Sequence, residues 1–123
     1  MKIAIDATSL PPKPAGAANY IIQLVHALAR LPGEEELLII THPTGQALLH
    51  CSQPARRMET LVVPPRPPAL RLVWEQARLP RLLAQRQVDL LHSPHYTRPL
   101  ALPCRSLVTF HDMTFFLFPE LHT

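Results

Sequence analysis

Val88-Asp89-Leu90-Leu91-His92-Ser93-Pro94-His95-Tyr96 and, further along, Arg105-Ser106-Leu107-Val108-Thr109-Phe110-His111-Asp112 are two short apolar runs that each finish in histidine. Val88, Leu90 and Leu91, and then Leu107, Val108 and Phe110, show little alternation, the pattern of strands in a parallel sheet with both faces covered by helices. Ligands of such sheets bind beyond the carboxyl ends of the strands, where the strand order reverses. His92, His95 and His111 are therefore expected on a binding rim.

The chain before this stretch supplies the rest of the sheet. Lys2 to Asp6 reads as a first buried strand, and the loop Ala7 to Ala15, with Pro11, Pro12 and Pro14, cannot be helical throughout. From Ala17 to Leu31 the residues Ile21, Leu24, Val25 and Leu28 recur at helical spacing, widened by Ile22 and Ala29. Gly16-Ala17-Ala18-Asn19-Tyr20 thus lies at a helix N-terminus, which suits a phosphate seat as well as a turn that needs a permissive backbone. Both readings stand. After a solvated turn at Glu34-Glu35-Glu36, Leu37 to Thr41 is a second strand. Thr44 to Cys51 is a short helix capped by Thr44, and Met58 to Val63 is a third strand.

Pro64 to Pro68 is a stiff extended connector. Leu70, Val73, Trp74 and Ala77 mark the apolar face of a third helix, with Glu75 beside that face, either capping the crevice or pairing with Arg71 or Arg78. Pro80 kinks this helix or starts a new turn that carries Leu82 and Leu83 inward. The succession of strands and helices is that of an α/β, Rossmann-like parallel sheet with helices on both faces. With strand order 3-2-1-4-5, the loop from Ala7 to Tyr20 faces His92 to Tyr96, and His111-Asp112 lies next door.

At 123 residues, 47% hydrophobic and 17% charged, the chain has the size and composition of one globular domain. Fifteen prolines against three glycines fall mostly between apolar runs, as punctuation. The net charge of +3 comes from ten arginines and two lysines. Arg71, Arg78, Arg81 and Arg86 are scattered along a helical region without interleaved aromatics, the pattern of a solvated outer face rather than of a nucleic-acid stripe. An anionic membrane surface is compatible with this pattern as a peripheral contact. Cys51 and Cys104 have no metal or redox spacing, no secretory signal precedes them, and no apolar run approaches the roughly 20 residues of a membrane span. A cytoplasmic protein, at most peripheral to the inner face of the membrane, is the expectation.

Five blocks then fall in a telling order: Met1 to Asp6 with Gly16 to Tyr20; Trp74-Glu75-Gln76 followed by Leu79-Pro80; Asp89-Leu90-Leu91-His92-Ser93-Pro94; Thr109-Phe110-His111-Asp112; and Phe118-Pro119-Glu120. Together they resemble the N-terminal half of family 4 retaining glycosyltransferases, over essentially the whole chain. The resemblance implies a GT-B architecture in which this acceptor-side domain faces a C-terminal donor-binding domain that these residues do not contain. It implies a nucleotide-diphosphate sugar as donor, a glycan or lipid-linked saccharide as acceptor, and no metal or other cofactor. By position, His111 would be the catalytic histidine that contacts the transferred sugar. Gly16, Ala17, Asn19, Tyr20, His92, His95 and Asp112 would line the substrate and donor-diphosphate side. Ala18 stands where the family commonly has a second glycine, and His95 where an asparagine is frequent. No nucleophile is assigned for the retaining step. The chain is expected to be an incomplete domain that is inactive alone.

Two other classes remain open from the residues themselves. His92, His95, His111 and Asp112 offer donors suited to zinc, although Pro94 argues against a helical ligand pair. A non-catalytic Rossmann-like binding module is the other. His26, His42, His50 and His122 have no constellation, and Phe115, Phe116 and Phe118 are expected in a core or interdomain patch that would be a solubility liability if exposed.

Overall fold

The computed structural model describes residues 1–112 and 117–121. The elements run β1 (Lys2–Asp6), α1 (Ala17–Arg30), β2 (Glu36–Thr41), α2 (Pro43–Leu49), β3 (Met58–Val62), α3 (Pro68–Ala77), α4 (Leu79–Gln85), β4 (Leu90–Ser93) and β5 (Arg105–Val108), with a 3-10 turn at Pro119–Leu121. All strand pairings are parallel and the order is β3-β2-β1-β4-β5, as the alternation of elements predicts.

Successive residues of a strand point to opposite faces, so each central strand feeds two cores. Ile5, Leu37 and Ile39 pack with Ile21 and Val25 of α1 and Leu49 of α2. Ala4, Leu38, Ile40 and Leu91 pack on the other face with Trp74, Leu79 and Leu83 of α3 and α4. The two covered faces leave the carboxyl ends of β1 and β4, which are neighbours in the sheet but distant in sequence, as the point where the chain diverges to either side.

Several local expectations are corrected. His42, not Thr44, caps α2: its Nδ1 accepts from the Gly45 amide while its Nε2 donates to the Leu10 carbonyl at 2.6 Å. The α2 helix ends at Leu49, before Cys51. Of the two readings of Pro80 the new turn is the one found: it sits in the first turn of α4, where a missing amide costs no intrahelical bond. The inward stripe of α3 is Trp74 and Glu75, while Leu70 and Val73 are 56% and 62% exposed. Arg71 lies on the inward side as well, so it is not part of a solvated arginine face.

β5 also differs from expectation. It ends at Val108, and Arg105, Ser106 and Leu107 are exposed. The connection 94–104 between the parallel neighbours β4 and β5 contains no helix, and α3 and α4 lie over β1, β2 and β4, so β5 is a bare margin of the described sheet. Phe118 is exposed; Phe115, Phe116 and His122 lie outside the described residues.

Candidate functional site

Gly16 opens α1 with φ 55°, a left-handed conformation that glycine adopts without the strain a Cβ brings, and nothing lies within 4 Å of where a Cβ would stand. The turn that follows is tight: Ala18 donates to Ala15, and Asn19 and Tyr20 both donate to the Gly16 carbonyl. Of the backbone amides at this helix start, those of Gly16 and Ala17 remain without a partner among the described residues. The turn favours a glycine and still leaves two donors without a partner among the described residues, so the two sequence readings of Gly16 are compatible.

Tyr20, one turn into α1, meets His111 edge to face with ring centroids 4.9 Å apart. His111 Nε2 donates to the Pro94 carbonyl at 2.7 Å, and Tyr96 packs against the same imidazole from the other segment at 5.7 Å. Because a carbonyl only accepts, Nε2 carries the hydrogen in the neutral ring, and Nδ1 is the nitrogen able to accept from a hydroxyl group. Tyr96 itself is held at φ 71°, uncommon for a residue with a side chain and a conformation that surrounding packing must enforce. The three expected segments therefore meet on one rim. Ala15, Ala17, Ala18, Ser9, His95 and Tyr96 contribute to a cavity of about 240 Å³ between the α1 turn and the end of β4.

The remaining expected residues take different positions. His92 is buried and bonds Thr109 Oγ1 at 2.8 Å; burial, aided by the charge of His95, holds its imidazole below the usual histidine range. Asn19 and Asp112, the chain neighbours of Tyr20 and His111, are exposed. No three of His92, His95, His111 and Asp112 come within a common ligating distance, because each imidazole is turned to a different partner. The zinc set considered from sequence is thus not assembled.

Directly beneath the rim lies a polar cluster of which spacing along the chain announces only the Arg71–Glu75 pair. Asp6, at the end of β1, and Glu75, on α3, are both 0% exposed. Arg71 lies 3.9 Å from Asp6 Oδ2 and 3.7 Å from Glu75 Oε1, and donates to Thr8 and Thr97. His95 Nε2 is 3.1 Å from Asp6 Oδ2, too bent to count as a well-formed hydrogen bond. Asp6 also accepts from the Thr8 amide at 3.0 Å and from its hydroxyl at 2.6 Å. Burial pushes the Asp6 carboxyl up, but His95 and Thr8 more than offset it and leave the group below its ordinary range. Asp6, Glu75 and His95 bring three donor atoms within 4.8 Å of one another, yet the Arg71 guanidinium already stands against both carboxylates where a cation would sit.

The sequence profile of Glycosyltransferase Family 4 matches residues 14–122. The chain belongs to glycosyltransferase family 4. This match covers the α1 turn, the end of β4 and the His111 segment, and the fold that carries them is the Rossmann-like sheet expected of a family 4 N-terminal domain. No curated protein and no solved structure matches this family 4 chain significantly. Asp6 lies outside the matched residues, whereas Arg71, Glu75, His95 and Thr97 lie within them. Among the described residues of this family 4 domain, no helix is long and apolar enough to cross a membrane.

Proposed function

We propose that this domain is the acceptor side of a retaining glycosyltransferase, with the nucleotide-diphosphate sugar presented by a second domain outside residues 1–123. The observation that carries this reading is the contact between the α1 turn and His111 on one rim of a family 4 sheet. In this reading the unpartnered amides of Gly16 and Ala17 approach the departing diphosphate, where a helix start offsets growing negative charge. His111, fixed by Pro94, accepts from a hydroxyl of the transferred sugar through Nδ1. No residue is assigned as a nucleophile.

The acceptor would enter beside the same rim. A cavity of about 440 Å³ at the ends of β1, β2 and β3 has a mainly apolar wall of Leu10 and four prolines set with Thr8, Ser9, His42, Thr44 and Arg66, a mixture suited to the apolar faces and hydroxyls of a saccharide. A lipid-linked acceptor is favoured over a free glycan by the outer face of α3 and α4. There Leu70, Leu72 and Val73 are exposed, and Arg66, Arg78 and Arg81 border the same groove, a composition that suits an anionic bilayer surface.

The test is a transfer assay on this chain joined to the sequence that follows it in its reading frame, with a panel of nucleotide-diphosphate sugars and lipid-linked saccharides. Sugar transfer lost on the order of a hundredfold in His111→Ala supports the reading. Transfer that is indifferent to His111, or full turnover by residues 1–123 alone, overturns it.

A further inference from the structure

Beneath the rim, two buried carboxylates face a single permanent cation. Asp6 and Glu75 are fully buried, and Arg71 is the one arginine that pairs with them. Buried charge is tolerated when it is paired, so a second positive charge is called for. The groups facing this spot from every packed element are Asp6 on β1, Arg71 and Glu75 on α3, and His92 and His95 at the end of β4.

The hydrogen-bond directions identify where that charge resides. Thr97 Oγ1 has one hydrogen, which it donates to Glu75 Oε1 at 3.0 Å, and it accepts from Arg71 Nη2. Its contact with His95 Nδ1 at 3.3 Å therefore needs a hydrogen supplied by the imidazole. The other ring nitrogen, Nε2, lies 3.1 Å from Asp6 Oδ2, a bent contact that is electrostatic rather than a formed hydrogen bond, and a buried carboxylate at that distance favours a proton on the ring. One nitrogen that must donate and a second set against a buried carboxylate, with two acids facing Arg71 alone, together point to an imidazolium.

We infer that His95 is the second cation of a buried four-charge network with Asp6, Arg71 and Glu75, and that it acts as a positioning residue for the turn that holds His111. That turn carries the Pro94 carbonyl and the Tyr96 ring, both of which contact His111. Tyr96, in its left-handed conformation, lies next to His95 in the chain, so the network lies where the backbone must be held. An asparagine at this position would supply hydrogen bonds without charge and leave two acids against Arg71 alone. The charge count stands independently of any sugar chemistry; only the consequence for catalysis rests on the proposed function.

Histidine-selective nitrogen-15 NMR on the full chain tests this directly. The expected result is that His95 shows two protonated ring nitrogens at pH 6.5, while His111, where neutral, shows Nε2 protonated and Nδ1 bare. Raising the pH should deprotonate His95 at a higher midpoint than in Glu75→Gln, and the His111 resonances should move with the His95 titration. His95→Asn should lower stability and broaden the His111 signals, and adding Asp6→Asn should recover part of both by restoring the balance of charge. A single bare nitrogen on wild-type His95 at pH 6.5, or a midpoint unmoved by Glu75→Gln, overturns the assignment. Because the first readout uses the unaltered chain, a variant that fails to fold does not protect the proposal. Failure here leaves the transfer assay untouched, and the reverse also holds.

Discussion

Tyr20 on α1 and His111 beyond β5 touch edge to face at 4.9 Å, although ninety-one positions separate them in the chain. Their contact fastens the start of the first helix to the far side of the sheet. Aromatic pairs of this kind contribute about 0.5–1.5 kcal/mol beyond burial. With Tyr20 39% exposed, the lower part of that range applies. Tyr20→Ala should therefore cost about 0.5–1 kcal/mol in urea denaturation, and Tyr20→Phe should cost less, because the ring contact persists.

Stability should depend on pH through Asp6, His92 and His95. Burial raises the Asp6 carboxyl and His95 with Thr8 pulls it below 3.8, so its contribution is complete above 3.8 and is lost as the pH falls through the lowered folded value. Burial lowers His95, while Asp6 and Glu75 outweigh that and Arg71 and raise it above 6.5. The His95 contribution is complete below 6.5 and is lost as the pH rises through the raised folded value. Urea midpoints measured from pH 3 to 9 should carry an acid fall from Asp6 and an alkaline fall from His95, while His92, held low by burial and the charge of His95, removes stability as the pH falls from 6.5 toward its lowered folded value. In His95→Asn the alkaline fall attributable to this group should vanish.

Two glycines should respond differently to alanine. At Gly16 there is open space, so Gly16→Ala pays only for a backbone at φ 55° and ψ −120°, a region side chains rarely adopt, about 1–3 kcal/mol. At Gly45 the new Cβ would lie 2.1 Å from Thr41 Oγ1, which donates to the Ala7 carbonyl. Gly45→Ala must displace that buried hydroxyl, adding the loss of a hydrogen bond to overpacking of about 1–3 kcal/mol. Thermal melts should rank Gly45→Ala as the more damaging of the two.

The outer face of α3 and α4 should bind anionic vesicles weakly and reversibly. Each arginine near such a surface contributes about 1 kcal/mol, and the effect is screened by salt. Sedimentation with vesicles containing phosphatidylglycerol should show binding that falls in Arg78→Ala/Arg81→Ala and with added sodium chloride. Neither arginine side chain has a hydrogen-bond or ion-pair partner among the described residues, so the double variant should leave the fold intact. Binding that survives both changes would exclude this face as the lipid contact.

The sheet was legible in the chain because its central strands are leucine and isoleucine runs bounded by turn residues, and because strand and helix alternate. Leu37 to Ile40 can hardly be read otherwise. Of the polar cluster only the Arg71–Glu75 pair was legible, from its i,i+4 spacing; its burial was not, for a physical reason: Arg71, Trp74 and Glu75 form one helical stripe, so two of the three inward positions are charged. Hydropathy instead selects Leu70 and Val73, which point outward. A buried acid at Asp6 finds its cation on a helix some sixty-five positions later only after the sheet has formed. His42 was missed likewise, since its cap on α2 and its bond to Leu10 depend on where a loop returns. β5 was assumed to be covered because strands of its composition usually are, but its connection to β4 holds no helix.

That bare margin has a consequence for how the polypeptide behaves in company. A strand whose only neighbour among the described residues is β4, with Leu107 exposed on it, offers one flank as a template on which an extended segment can add. During synthesis the segment nearest to hand is whatever emerges from the ribosome next. In a concentrated preparation it is the same flank of a neighbouring molecule, and self-adhesion follows.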